Sequence, residues 1–328
     1  MIRGKKPRIS KPRSDYFDGL PDDIVVSILT KLSSSASCPA DFVSVLMTCR
    51  RLNRLGLNPL VLSSAGPETL AVRAGSWSEF AHRFLKQCVT AGSNEACYIL
   101  GMIRFYCLKD RESGASLMAK AAMRSHAEAL YSLAVIQFNG SGGDKKDKDL
   151  RAGVALCARA AALGHTNAIR ELGHCLQDGY GVPQNVAEGR RILIQANARE
   201  FALLLRVASL AQTHPDILSS GSGTGHPLLS DFGCGLAPRE AHPASRFLTE
   251  WFGSWKSDPG LRMCSYSGCG RPETRSCEFR RCSACSAVNY CSRGCQAQDW
   301  RVRHGAVCTP MLEHAYDHDD VADRRAEI

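Results

Sequence analysis

Apolar positions recur at helical spacing from the start of the ordered-looking chain. Leu20, Ile24, Ile28 and Leu32 stand four residues apart, behind Pro21 and two acids, Asp22 and Asp23, that suit the positive end of a helix dipole. This predicts an amphipathic helix beginning near Pro21 and ended by the serine-rich stretch SSSAS. Phe42, Val45, Leu46 and Cys49 fall at i, i+3, i+4 and i+7, predicting a second amphipathic helix. Arg50 and Arg51 are expected to close it, their charge matching a helix C-terminus. In the plainest reading the two helices cover each other's apolar faces.

From residue 66 to about 210 the pattern repeats. MAKAAMRSHAEALYSLAVIQFNGSG (118–142) aligns with CARAAALGHTNAIRELGHCLQDGYG (157–181) at a shift of 39, pairing Ala119 with Ala158, His126 with His165, Leu133 with Leu172 and Gly142 with Gly181. A weaker copy, QCVTAGSNEACYILGMIRFY, starts at Gln87 with a shift of 33. Self-similarity at a fixed shift of this size means stacked helix pairs. Alanine recurs where two helices must approach closely, and glycines after each first helix let the chain reverse. About three units are expected, capped by the apolar FALLLRVASLAQ.

Residues 211–260 are rich in Gly, Ser and Pro and read as a flexible linker. One amphipathic piece, ASRFLTEWFGSW, carries Phe247, Leu248, Trp251, Phe252 and Trp255 and needs a surface, either the solenoid end or the cysteine-rich terminus.

Composition changes the picture at the two ends. Residues 1–15 hold Arg3, Lys5, Lys6, Arg8, Lys11 and Arg13 against Asp15 alone, a basic disordered arm; residues 311–328 form an acidic tail. The opening stretch lacks the apolar run of a secretory signal, and no run of about 18 uncharged apolar residues offers a membrane span. A reducing compartment, nucleus and/or cytoplasm, is the expected location. Of 16 cysteines, eight lie between Cys264 and Cys308. In such a compartment a metal explains the cluster better than disulfides do.

The spacing is that of metal ligands. Cys264 with Cys269, Cys282 with Cys285, Cys291 with Cys295, and His304 with Cys308 supply eight ligands, enough for two tetrahedral zinc ions, with Cys277 a ninth candidate able to compete with Cys269. Four protein ligands each leave no open position for water, so the metal reads as structural. Spacing permits either consecutive or interleaved pairing of these four doublets. Zinc also corrects the formal charge of +9: seven thiolates against two dications lower it to about +6.

Three resemblances follow. The Leu-Pro start, spaced aliphatics and the phrase VSVLMTCRRLN make residues 16–62 similar to an F-box, departing from the pattern where Leu52 or Asn53 replaces a common Trp. The resemblance implies a short helical unit that docks on the Skp adaptor of a cullin ubiquitin ligase through Leu20, Pro21, Ile24, Ile28 and Leu32. GYGVPQNVAEGRRIL, after Gly179, looks like a Sel-like repeat, a relative of the tetratricopeptide repeat. Residues 261–310 resemble a MYND finger, matching all eight ligands and also Tyr290, Gln296, Asp299 and Trp300, though four residues rather than two separate Cys264 from Cys269. That family implies interleaved sites, Cys264, Cys269, Cys291 and Cys295 against Cys282, Cys285, His304 and Cys308. It leaves Cys277 spare. It also implies recognition of proline-containing peptides by Ser283, Gln296 and Trp300, whose flat wall and two-way amide suit an extended peptide; the plainer role for Trp300 is to cover the metal.

The expected fold is mainly α: F-box helices, an α-solenoid of Sel-like repeats (66–210), then a small two-zinc MYND finger. The order resembles a plant F-box protein with a MYND finger, which implies a non-catalytic substrate-recognition subunit of an SCF-type ubiquitin ligase. The competing class is a nuclear transcriptional or chromatin scaffold recruiting proline-containing peptides. No phosphate loop or nucleophile and base arrangement is present. Between residues 262 and 303 eight arginines face three acids, but the thiolates reduce that surplus of five to about two, and no basic and aromatic stripe appears; the case for nucleic acid is weak.

Overall fold

The computed structural model describes residues 17, 19–211, 229, 241–254 and 260–310, with backbone alone over 203–211 and at 254. The expected basic arm, most of the linker and the acidic tail lie outside the described residues. The rest forms two compact units, one from the chain up to 133 together with 241–255, the other from 134–240 together with 256–328.

The first unit opens with four short helices, α1 (Asp22–Ser35), α2 (Pro39–Leu46), α3 (Arg50–Gly56) and α4 (Pro59–Ser63). They close around Val25, Leu29, Phe42, Leu46, Leu55 and Val61, with Phe84 packed against the edge. The buried line of α1 is therefore Val25, Leu29 and Ser33, one residue over from the anticipated face. Ile24 and Ile28 remain 46% and 41% exposed, while Leu20 and Leu32 are half-buried along the margin. Mutual covering of the two helices thus fails for the central pair of the stripe.

Arg50 and Arg51 do not close the second helix. The chain breaks at 47–49, and Cys49 is the extended N-cap of a third helix, its sulfur accepting from Leu52 N at 3.4 Å. Arg51 instead folds back over the start of α1, donating to Phe17 O at 2.8 Å, to Leu20 O, and to Asp22 at 2.7 Å. A guanidinium can satisfy carbonyls and a carboxylate at once because its donors form a fixed fork. The partners of this charge are tertiary and not the carbonyls of a helix end.

Three helix pairs follow: α5 (Glu79–Ala91) with α6 (Asn94–Met102), α7 (Arg111–Met123) with α8 (Ala127–Asn139), and α9 (Leu150–Ala162) with α10 (Thr166–Asp178). Both helices of the last pair start 39 residues after those of the pair before, as the internal alignment requires. The repeated residues now have reasons. Asp110 and Asp149 cap the first helices, accepting from Ser113 N and Ala152 N. His126 and His165 cap the second helices through Nδ1, accepting from Ala129 N at 3.2 Å and Ala168 N at 3.1 Å. The reversal between them needs a left-handed residue: Gly164 has φ +89, and Ser125, 39 residues earlier, takes φ +62 without being glycine. Small residues bring successive pairs together. A Cβ on Gly101 would stand 2.8 Å from Met118 and 3.0 Å from the Gly114 carbonyl, and one on Gly189 would stand 2.7 Å from the Gly173 carbonyl.

Between α6 and α7 there is no glycine-rich loop; a wide turn at Ile103–Cys107 and Lys109 at φ +56 make the connection. Over 201–211 the expected capping piece is continuous with a single long helix, α11 (Val186–Ala211), packed on α10.

The linker piece is helix α12 (Pro243–Ser254), seated on the N-terminal end of the repeats: α6, the Ile103–Cys107 turn and residues 74–76. Phe247 is buried edge-on to Trp77 at 5.4 Å and stacks on Trp251 at 5.7 Å. Arg246 meets Glu68 at 2.5 Å, and Glu250 accepts from Ala74 N at 3.0 Å. Just ahead of the helix, His242 Nε2 lies 2.8 Å from Glu95, whose other oxygen is 3.0 Å from His126 Nε2. The Tyr98 ring sits between the two imidazoles at 5.0 and 4.9 Å. Each imidazole accepts a backbone N–H at Nδ1, from Ala129 and Ala244, which leaves Nε2 facing the carboxylate; His126 makes that hydrogen bond, whereas His242 approaches without the alignment for one.

Candidate metal centre

The cysteine-rich segment is too short for an apolar core of its own, and its scaffold is a set of tight turns around sulfur. A two-stranded ribbon, β1 (Arg280–Arg281) and β2 (Asn289–Tyr290), pairs Arg280 with Tyr290 and Arg281 with Asn289. The turn between them holds Cys282 and Cys285, closed by Cys282 N donating to Val288 O at 3.0 Å and Ser286 N to Cys282 O at 2.9 Å. Cys264 and Cys269 lie in a second turn, tied by Cys264 N to Arg271 O at 2.9 Å. Ser292 caps α13 (Arg293–Asp299), accepting from Cys295 N at 3.0 Å, which puts Cys291 just before the helix and Cys295 in its first turn. A wide turn, Trp300–His304, and α14 (Gly305–Val307) carry His304 and Cys308.

These turns gather eight ligand atoms into two groups, each with its atoms within 4.8 Å of one another: Cys264, Cys269, Cys291 and Cys295, all buried; and Cys282, Cys285, His304 and Cys308, half-buried in part. The pairing is interleaved. Cys277 belongs to neither; it is exposed, at φ +58 in a turn.

The spacing fits a tetrahedral metal. Bonds of about 2.3 Å to four sulfurs place those sulfurs about 3.8 Å apart, whereas a disulfide would hold two at about 2.0 Å. Cys269 and Cys291 are 3.5 Å apart, Cys291 and Cys295 3.6 Å, Cys282 and Cys308 3.9 Å, and Cys285 Sγ is 3.4 Å from His304 Nε2. Cys269 is held well below the ordinary thiol range because Cys264, Cys291 and Cys295 direct hydrogen bonds at it, with Arg271 adding positive charge 3.5 Å from its sulfur. The Ala287 amide likewise lowers Cys285. Each group thus holds a thiol that favours the thiolate, while its crowded neighbours Cys264, Cys295 and Cys308 are shifted the other way; a divalent cation would relieve that competition.

The residues flanking the ligands build the frame. Tyr290, fully buried, donates to Asp299 at 2.7 Å, locking β2 to α13, and Arg303 meets the same carboxylate one helical turn on. The Trp300 ring stands edge-on to His304 at 5.6 Å, so part of it does cover a ligand. Trp300 and Gln296 are half-buried and Ser283 exposed; nearby Val302 and Val307 are 51% and 64% exposed.

Most of the finger's arginines are committed inside the chain. Arg262 pairs with Glu273 at 2.7 Å, Arg293 with Asp178 at 2.6 Å, Arg301 with Glu200 at 2.7 Å, and Arg275 donates to the carbonyls of Asn139 and Gly140. Three of these four reach the repeats. Much of the finger's surplus positive charge thus holds it to the repeats.

Sequence reasoning missed the receiving side. Glu171, buried on α10, accepts from Gly294 N at 3.0 Å; Gln298 donates to Asn167 at 3.2 Å; Asn139 donates to the Cys291 carbonyl at 2.8 Å; and the buried Glu278 accepts from Ser141 and Thr274. Burial raises Glu171 above the usual carboxylate range. The one available signal was a polar residue, Glu171, at a buried position of the repeat pattern.

The relatives agree with this anatomy. Residues 70–170 match the family of plant tetratrico peptide repeats, 166–199 the Sel1 repeat, and 264–308 the MYND finger. An F-box protein of Arabidopsis thaliana, At1g67340, is 63% identical over 309 residues, 91% of this chain and 82% of that one; a second, F-box protein At5g50450, is 63% identical over 300 residues, 91% and 86%. A MYND-type zinc finger protein of Aspergillus clavatus, samB, is 38% identical over 52 residues, 16% of this chain and 9% of that one. The chain belongs to the family of plant F-box proteins with tetratricopeptide-like, Sel1-type repeats and a C-terminal MYND finger.

Proposed function

We propose that this chain is a substrate-recognition subunit of an SCF-type ubiquitin ligase, non-catalytic itself, that holds the Skp adaptor through α1 and a target protein through its repeats and finger. The observation that carries this reading is the exposure of Ile24 and Ile28 on a helix whose neighbours Val25 and Leu29 are wholly buried. The helical unit is complete without the two isoleucines, so they are free to be covered by a partner. Covering the part of both side chains still exposed would contribute roughly 1–3 kcal/mol in all. Pro21 is exposed beside them, and Leu20 and Leu32, half-buried, extend the same margin.

The finger is read as a rigid presenting surface held by two zinc ions. Ser283, Gln296 and Trp300 would take a proline-containing segment of the target, Trp300 as the apolar wall and Gln296 as the amide partner. Full protein ligation assigns the metal to folding.

Capture of purified Skp adaptor by the full chain tests the reading. Wild type should retain the adaptor and Ile24→Asp should not, with unchanged thermal melting because the side chain is solvent-facing. Wild type failing to capture adaptor while the finger still binds proline-containing peptides would favour the scaffold reading instead.

A further inference from the structure

The two metal sites are not equivalent in what surrounds them. Around the four-cysteine site, the ligand loop touches the repeats at both ends. Asn139, the last residue of α8 and 8% exposed, donates from Nδ2 to the carbonyl of Cys291, itself a ligand, at 2.8 Å. Glu171 of α10, 4% exposed, accepts from Gly294 N, the residue before the ligand Cys295, at 3.0 Å. Between these two contacts Arg293 reaches Asp178 at 2.6 Å. The turn around Cys282 and Cys285 instead closes on the finger's own backbone, through Val288, Ser286 and Ala287.

We infer that Asn139 and Glu171 are outer-shell residues of the Cys264–Cys269–Cys291–Cys295 metal, so that this site is a joint through which metal loading of the finger stabilises α9, α10 and α11. The physical basis is general. Groups that hydrogen-bond the ligand loop orient its sulfurs, and their loss typically costs 10- to 100-fold in metal affinity. Metal binding is coupled to ordering of the loop it closes. Coupling between two sites is reciprocal, so a repeat that holds the loop is held by it. Without the metal the loop 291–295 loses the constraint that aims the Cys291 carbonyl and the Gly294 amide, leaving the buried Asn139 amide and Glu171 carboxylate without those partners. Unpaired buried polar groups are costly, and the repeat face carrying them would open. The inference rests on the metal reading of the finger but not on the ligase assignment.

The test uses the full chain loaded with zinc and, in parallel, with cobalt, whose absorption separates a four-sulfur site from a three-sulfur, one-nitrogen site. Under a chelator, Asn139→Ala should release the four-sulfur ion about 10-fold faster than wild type and leave the other unchanged. Glu171→Leu, which removes the acceptor of the Gly294 amide at similar volume, should act in the same direction from the other end of the loop. Hydrogen exchange should show that chelation speeds exchange in α10 while α5 is unaffected. Release of both ions at wild-type rates from both variants, or α10 protection that is the same with and without metal, would overturn the joint. Wild type that binds no metal at all would overturn the two-zinc reading itself, a result that elemental analysis separates from the former.

Discussion

Glu95→Gln probes the fastening of α12 to the first repeat. Burial by itself would raise this carboxyl; hydrogen bonds from His126 and His242 more than reverse it, and its pKa falls from 4.5 to about 2. A drop of roughly two and a half units at 1.36 kcal/mol each corresponds to about 3 kcal/mol. That is an upper figure, because the His242 contact, though 2.8 Å long, is poorly aligned for a hydrogen bond. Since the folded pKa lies below the unfolded one, the stabilisation is fully present above pH 4.5 and is lost as pH falls toward 2. The assay is amide exchange of residues 243–254 in the full chain. At pH 7 the variant should exchange at least about 10-fold faster there than wild type, and the two should converge as the buffer approaches pH 2. Equal exchange at pH 7, or a difference that persists undiminished at pH 2, would refute the clasp.

Two further outcomes follow from particular contacts. Gly101→Ala places a Cβ 2.8 Å from Met118 and 3.0 Å from the Gly114 carbonyl, so it should cost about 1–3 kcal/mol and lower the melting temperature, with the metal content of the finger unchanged. Trp300→Ala should weaken binding of proline-containing peptides at least about 10-fold, measured by calorimetry, while both metals stay bound, because the ring is not a ligand; loss of a metal along with the peptide would make the ring a lid on His304.

Local and periodic features are legible in the chain before any folding. The 39-residue repeat, with His126 and His165 at matching places, and the four short-spaced doublets of candidate ligands are visible there, because a turn and a chelating pair each need particular residue types at short fixed spacing; the capping role of the histidines is not. Features that depend on partners distant in the chain emerge only once it is folded. Folding shifted the buried line of α1 from Ile24 and Ile28 to Val25 and Leu29, since which side of a helix is covered depends on where its neighbours lie. It turned Arg51 from a helix end into a clamp on Leu20 and Asp22. It paired the ligand doublets in interleaved fashion, which spacing alone left open. And it converted the arginine surplus of the finger into bonds with Asp178, Glu200 and the 139–140 carbonyls, because a charge at the surface of one element announces nothing about which element will neutralise it.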